Sequence, residues 1–323
     1  MTRSGKAPHA DAVYSTLNSA GAGAASLIAA SWSRSLVHYG LDPDRDRPPE
    51  RLSQAEFDAA CERAGSLIDQ SKAELDRLFR MVGEAGCCVL LTDRDGVPLE
   101  RRALAGDNAD FRRLGLWTGM IWSEASGGTN GIGTCLAESR PLTVHREQHF
   151  LTRNTGLSCS AAPIFDAHGR LCGALDVSTC RFDLSTATLK LIAAATIEAA
   201  QRIEASQFHA AFNQARIVMA ETGRCGGALL AVDREDLVVG ANRAARLAFG
   251  LTDQRLATPF PANSLLRADA PGAMDDLSAG ERGVLQRALA RAKGNVSAAS
   301  RALGVSRATM HRKMARLGLH RPH

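Results

Sequence analysis

The apolar positions of this chain follow two periods, one of two residues and one near three and a half, and the two occupy different stretches. From Gly86 the text GCCVLLTDRDGVPLE runs apolar, turns at Asp93 to Gly96 and becomes extended again, which predicts a hairpin. CSAAPIFDAHGRLCGALDVS repeats the plan, with strands over Ala161 to Phe165 and Leu171 to Val177 about a turn at Asp166 to Gly169. Between the hairpins lie the glycine-rich WSEASGGTNGIGTCLAESRP, which becomes helical, and a short strand, LTVH. Strands bracketed by helices in this order predict an α+β sheet domain and not a parallel nucleotide-binding sheet.

The helical period takes over towards the C-terminus. Ser278 and Glu281 have the spacing of a capping box, and Leu285, Ala288, Leu289 and Ala292 follow on one face of a first helix. Gly294 stops it. Asn295 caps a second helix with Val296, Ala299 and Leu303 on one side, and Gly304 supplies a tight turn. Ser306 caps a third, with Val305 and Met310 as a hydrophobic staple. On this third helix Met310, Met314 and Leu317 face inward, Ala308, Thr309, Arg312 and Arg316 face outward, and His311 and Lys313 flank the exposed side.

Charge sharpens the picture at that end. Residues 278–323 carry ten Lys and Arg and one Glu, a net +9, whereas the rest of the chain has 29 basic against 33 acidic residues. A basic tail on an otherwise slightly acidic chain is a nucleic-acid footprint, and a third helix with arginines in its first and second turns suits a major groove. With 323 residues, 45% of them hydrophobic, the chain is long enough for two or three domains. No apolar run reaches the roughly 20 residues needed to span a bilayer, and no signal peptide precedes the first helix, so a cytoplasmic protein without membrane contact is expected. The eight cysteines are scattered, with no Cys-x-x-Cys pair, and no metal site is expected. Cys87 and Cys88 should point to opposite faces of a strand, one of them core.

Two resemblances follow from these residues. GNVSAASRALGVSRATMHRKMARLGL, Gly294 to Leu319, resembles the Fis-type helix-turn-helix at the C-terminus of bacterial enhancer-binding activators, with Met310, His311 and Met314 where that family usually reads Leu, Tyr and Leu. This implies double-stranded DNA as partner and a DNA-binding set of Asn295, Ser306, Arg307, Thr309, His311, Arg312, Lys313 and Arg316. WSE at 122–124, GTNGIGTCLAESRPLTVHREQHF at 128–150 and LSCSAAPIFDAHGRLCGALDVS at 157–178 are similar to the GAF domain of acetoin-type catabolic activators, a sigma-54-dependent family; ASWSRSLVHYGLDPDR resembles that family's N-terminal helix. The similarity implies a pocket for a small ketone, alcohol, aldehyde or aromatic effector. The residues nearest its motifs are Trp117, Trp122, Thr129, Asn130, His145, His149, Phe150 and Cys159. Each also has a plain structural role open to it: core for the tryptophans, helix caps for Thr129 and Asn130. His145, His149 and Cys159 could also form a redox or metal sensor.

The ATPase motor that separates sensor and DNA reader in the resembled family has no counterpart here, because no G-x-x-x-x-G-K stretch occurs and no lysine lies between Lys190 and Lys293. No cofactor is expected. The organisation read from sequence is a disordered stretch at 1–24, helices at 25–83, the GAF-like sensor at 84–205, a truncated PAS-like segment with ANRAA at 206–262, a linker at 263–277 and the helix-turn-helix at 278–323. LKLIAAATIEAAQRIEASQF reads as a dimerising or signalling helix, so a homodimer is expected. The function expected is that of a motor-less, effector-controlled transcription regulator. Two alternatives stand beside it: an antagonist of full-length relatives through mixed dimers or shared operators, and a cysteine-dependent methionine sulfoxide reductase built on Cys87, Cys88, Cys135 and Cys159.

Overall fold

Strand β1 (Cys87–Asp93) and strand β2 (Pro98–Arg102) form the first expected hairpin, and β4 (Ser158–Phe165) with β5 (Leu171–Thr179) the second. Strand β3 (Leu142–His145) completes a five-stranded antiparallel sheet in the order β2-β1-β5-β4-β3. The structure, a computed structural model, describes residues 8–18, 26–45, 49–220, 227–258, 260–266, 281–285, 288–289, 292, 294–317 and 319. Among the described residues, four helices precede the sheet: α1 (Pro8–Leu17), α2 (Leu27–Ser33), which runs on into a π turn at Arg34–His38, α3 (Gln54–Arg63) and α4 (Gly65–Val82). Within the domain lie α5 (Asn108–Arg113) and α6 (Gly131–Glu138), and the 26-residue α7 (Thr186–Ala211) follows it.

Both faces of the sheet are covered. Val89, Leu91, Ala162, Ile164, Leu175 and Val177 pack with Leu75 and Leu78 of α4 and Ala199 and Ile203 of α7. The alternate positions Cys88, Leu90, Cys159, Ala161 and Ala174 pack beneath Ile132 and Cys135 of α6. Cys87 and Cys88 do point to opposite faces, but both are fully buried and both are core, because neither face meets water. Residues 8–17 lie within the stretch expected to be disordered, and they form a helix instead. Val13 of α1 packs on Leu41, Phe150 and Leu151, with Leu17 against the same cluster, so a short amphipathic face is enough to hold the segment. The rest of 1–24 lies outside the described residues, apart from Asn18.

After α7 comes a second antiparallel sheet, β6 (Arg216–Ala220), β7 (Ala228–Val232), β8 (Leu237–Ala241) and the two-residue β9 (Phe260–Pro261), in sequential order. The segment expected to be truncated thus closes a small sheet of its own, with α8 (Arg243–Phe249) capped by Asn242, whose Oδ1 accepts from Ala245 N–H at 2.9 Å. Most of the expected linker at 263–277 lies outside the described residues; its first four form a helical turn, Asn263–Leu266.

The chain divides into two compact units, Met1–Ala262 and Asn263–His323. In the second unit, residues 281–285 and 288–289 are helical, followed by α9 (Val296–Ala302) and α10 (Arg307–Arg316). Leu285, Leu289, Val296, Ala299, Met310, Met314 and Leu317 form its core, with Val305 packed against them as the staple requires. Gly304 turns the chain between α9 and α10 at φ +63°, a conformation that suits glycine. Ser278 lies outside the described residues, so only Glu281 of the expected capping box can be placed.

Candidate functional site

Two sites emerge, one on the sheet face beneath α6 and one on α10. Cross-strand pairing lays out the first. Arg101, Leu90, Asp176, Ala161 and Leu142 stand directly opposite one another on successive strands and share a face, and Cys88, Ser178, Cys159 and Val144 form the next row. Polar groups therefore sit inside an apolar layer, where each needs a partner.

One string of partners runs through this layer. His149 is buried, with Nδ1 2.9 Å from the Arg146 carbonyl and Nε2 3.4 Å from Cys159 Sγ. Ser178 Oγ lies 3.0 Å from Cys159 Sγ and 2.6 Å from Asp176 Oδ2. A carbonyl can only accept, so Nδ1 carries the imidazole proton and Nε2 receives the thiol proton. If Asp176 is protonated, it donates to Ser178, Ser178 to Cys159, and Cys159 to His149. The ionisation shifts agree: burial raises Asp176 to about 7, lowers His149 to about 4 and raises the Cys159 thiol well above its usual range. Asp176 Oδ1 has no hydrogen-bond partner.

A second polar cluster ties α2 to the sensor. Buried Glu124 accepts from Arg34 Nε at 2.8 Å and Nη2 at 3.0 Å, from Thr134 Oγ1 at 3.1 Å and from Ser31, whose hydroxyl also lies 2.7 Å from Thr129 Oγ1. Arg34 reaches Glu138 at 2.7 Å as well. The resembling stretches at Trp32 and Trp122 are thus brought together through Ser31, Arg34 and Glu124.

The eight sensor residues singled out from sequence take different roles in the fold. Asn130 caps α6, accepting from Gly133 N–H at 2.8 Å, and Thr129 joins the Glu124 cluster. Trp122 and Phe150 are core, the indole N–H bonded to the Gly115 carbonyl at 2.8 Å. His145 turns to Ser158 Oγ at 2.7 Å and away from the His149–Cys159 pair. Among the described residues no three His, Cys, Asp or Glu side chains are placed to hold a metal ion. Trp117 is half-buried, with the guanidinium carbons of Arg101 and Arg112 each 4.2 Å from its ring. Sequence reading missed Ser31, Arg34, Arg101, Glu124, Asp176 and Ser178. Glu124 and Asp176 carried a signal, each a carboxylate set in an otherwise apolar or small-residue run.

The reductase alternative needs an exposed thiolate of low pKa. Cys87, Cys88, Cys135 and Cys159 are all buried, and burial pushes Cys87 up to about 11 and Cys88 up to about 12 and raises the other two thiols as well.

In the second unit Ser306 caps α10 by accepting from Thr309 N–H at 3.0 Å, and Asn295 caps α9 by accepting from Ala298 N–H at 3.1 Å. Thr309 Oγ1 is itself 2.8 Å from Ser306 Oγ. Arg307, His311 and Arg312 are exposed and form no ion pair among the described residues. Lys313 and Arg316 are engaged differently from expectation, since both pair with Glu281 at the start of the helical stretch 281–285. Net positive charge with two free arginines on the first turns of a capped helix is what a groove-reading helix presents.

Comparison with known proteins bears on both units. Residues 66–203 match the GAF domain and residues 277–317 the bacterial regulatory protein, Fis family. The acetoin catabolism regulatory protein of Cupriavidus necator is 39% identical over 152 residues, covering 47% of this chain and 23% of that protein. The acetoin dehydrogenase operon transcriptional activator AcoR of Bacillus subtilis is 31% identical over 151 residues, covering 47% and 25%. The matched stretch thus spans about a quarter of these curated relatives. In the E. coli DhaR(N)-DhaL complex, a chain superposes with a TM-score of 0.52 at 19% identity, over 68% of this chain and 76% of that one, which shows a shared fold. The chain joins a GAF domain to a Fis-family helix-turn-helix and is homologous to the acetoin-type regulators of the sigma-54 activator family.

Proposed function

We propose that this protein is a sequence-specific, DNA-binding transcription regulator of the cytoplasm, controlled by a small organic effector in its GAF domain and working without an ATPase motor. The observation that carries the reading is the exposed face of α10, where Arg307 and Arg312 stand free on a helix whose inner face is locked by Met310, Met314 and Leu317. A homodimer would present two such helices to an inverted repeat about one helical turn apart. Only residues 204–276 separate the matched sensor from the matched reader, too short a span for a motor domain of about 200 residues. Regulation then rests on operator occupancy, and an effector need supply a coupling of only about 1–3 kcal/mol. The named operons of the relatives support a catabolic effector.

The experiment is selection of bound fragments from a genomic library at physiological salt, followed by footprinting. Enrichment of short inverted repeats is expected. Binding that is salt-sensitive but indifferent to sequence would reject the operator-reading role and turn attention to mixed dimers with longer relatives.

A further inference from the structure

Arg101 in the sensor carries a positive charge that no ion pair among the described residues neutralises. Arg101 stands on β2 at the end of the row Arg101-Leu90-Asp176, and its Nε and Nη2 are buried without a hydrogen-bond partner. Several other arginines of the sensor unit are paired: Arg34 with Glu124 and Glu138, Arg102 with Asp76 and Glu100, Arg202 with Glu74 and Glu198. Arg101 has instead the ring of Trp117 at 4.2 Å and that of Phe111 at 5.6 Å. Its charge and a hydrogen bond from its side chain lower the neighbouring Cys88 thiol only against a larger effect of burial, so that sulfur stays protonated and is no counter-ion. Arg112, also without an ion pair among the described residues, adds a second cation at 4.2 Å from the same indole. Asp176 is two strands away with Leu90 between, roughly 10 Å by strand spacing, and does not reach.

Buried donors left unmade cost free energy, and a cation in an apolar layer costs more. Such a cost is tolerated where a bound partner offsets it. The identity of the two orphaned nitrogens says which partner: Nε and Nη2 form one edge of the guanidinium, two parallel donors that match the two oxygens of a carboxylate. Phe111 and Leu116, both buried, supply an apolar wall for an organic body, and the half-buried Trp117 ring stacks on the guanidinium at 4.2 Å.

We propose that Arg101 is the recognition residue for an anionic effector, a small organic carboxylate held side-on by Nε and Nη2 against Phe111 and Trp117. This rests on the reading of the GAF domain as an effector site, and it replaces the neutral ketone or alcohol expected from sequence with an acid. Trp117 closes over the guanidinium and Arg112 draws the anion in from the surface.

The test uses the full chain and four small acids, acetate, butanoate, lactate and benzoate, each beside its neutral amide, with thermal unfolding as the readout. At millimolar concentration at least one acid raises Tm in a saturating manner and its amide does not. Arg101→Met weakens that acid about tenfold or more, and Arg101→Lys, which keeps the charge and loses the fork, falls between. Without ligand, Arg101→Met unfolds at the same temperature as the native chain or higher, because methionine removes an unpaired buried charge. The proposal is overturned by silence of all four acids, by an equal response to acid and amide, by an acid response unchanged in Arg101→Met, or by a ligand-free Arg101→Met chain that melts well below the native one. Operator affinity in the same samples separates this from the broader function. An acid that binds through Arg101 but leaves DNA affinity unchanged ends effector control and spares the Arg101 site; an amide that shifts DNA affinity in Arg101→Met does the reverse.

Discussion

Asp176 and His149 lie at the two ends of one hydrogen-bonded string, and burial drives both to their neutral forms by opposite shifts. The consequence for stability has a definite sign. A carboxyl raised to about 7 in the folded state binds a proton that the unfolded chain has released, so its contribution to stability is present below about pH 4 and is lost as pH rises towards 7. Asp176→Asn keeps the shape and the contact to Ser178 but cannot ionise. The stability advantage of this variant over the native chain should widen between pH 4 and pH 7, by up to about 4 kcal/mol, in urea midpoints measured across that range. His149 acts in the other direction, since an imidazole lowered to about 4 favours the folded state as pH rises through the ordinary histidine range. Taking the difference between variant and native chain removes that effect, and also the effect of buried Glu204, which is raised to about 7 as well. A gap that does not change with pH would show Asp176 ionised in the folded protein. On α10 the two free arginines and the paired lysine should also behave differently. Arg312→Ala is expected to relax discrimination at one base position by about 1–3 kcal/mol, whereas Lys313→Ala weakens every sequence alike and lowers the salt slope by about one. Equal losses on operator and random DNA for Arg312→Ala would remove it from the base-reading set.

Helix α6 can lie on β4 and β5 only because its first residue is glycine: a Cβ on Gly131 would stand 2.6 Å from Cys159 Cβ and 2.8 Å from Asp176 Oδ1. Gly131→Ala should therefore destabilise the sensor by about 1–3 kcal/mol through overpacking, read from chemical denaturation. Gly156→Ala, where a Cβ meets open space, is the matched control and should change little. A Gly131→Ala chain as stable as the control would mean that α6 is free to lift from the sheet. Both hairpins, the strand at 142–145 and the three caps at Asn130, Asn295 and Ser306 were legible, because a hairpin or a cap is a local agreement between residues a few positions apart. The strand order β2-β1-β5-β4-β3 was not, since the pairing of β1 with β5 joins residues from Cys87↔Thr179 to Asp93↔Gly173, far apart in the chain, and leaves no local mark. The buried polar clusters of the first unit escaped for the same reason. Ser31 and Arg34 meet Glu124 only after folding, and Arg101 and Asp176 face the same layer only once β1 lies between them. Motif proximity pointed to Trp122, Asn130 and Phe150, which the fold uses as core and cap.

The chain carries a GAF domain and a Fis-family helix-turn-helix, and what lies between them in sequence bounds how it can act. A motor-driven activator would need phosphate-cradling backbone, a lysine for the β and γ phosphates and a hydroxyl for magnesium, none of which can be assembled between residues 204 and 276, where no lysine and no Walker-type glycine run occurs. The second sheet, β6 to β9, occupies 216–261 of that span and is antiparallel, whereas P-loop domains build their phosphate site at the end of a parallel strand. Purified protein should accordingly hydrolyse no ATP above background, with or without operator DNA, and its operator affinity should be indifferent to ATP. Steady-state release of phosphate, measured with the operator present and with an effector that saturates the sensor, is the decisive assay. DNA-stimulated turnover would mean that the chain contributes to a nucleotide site by a route outside the P-loop plan, and regulation by occupancy would fall with it. Its absence leaves operator affinity as the quantity an effector can change, and linkage then requires DNA to change effector affinity by the same factor.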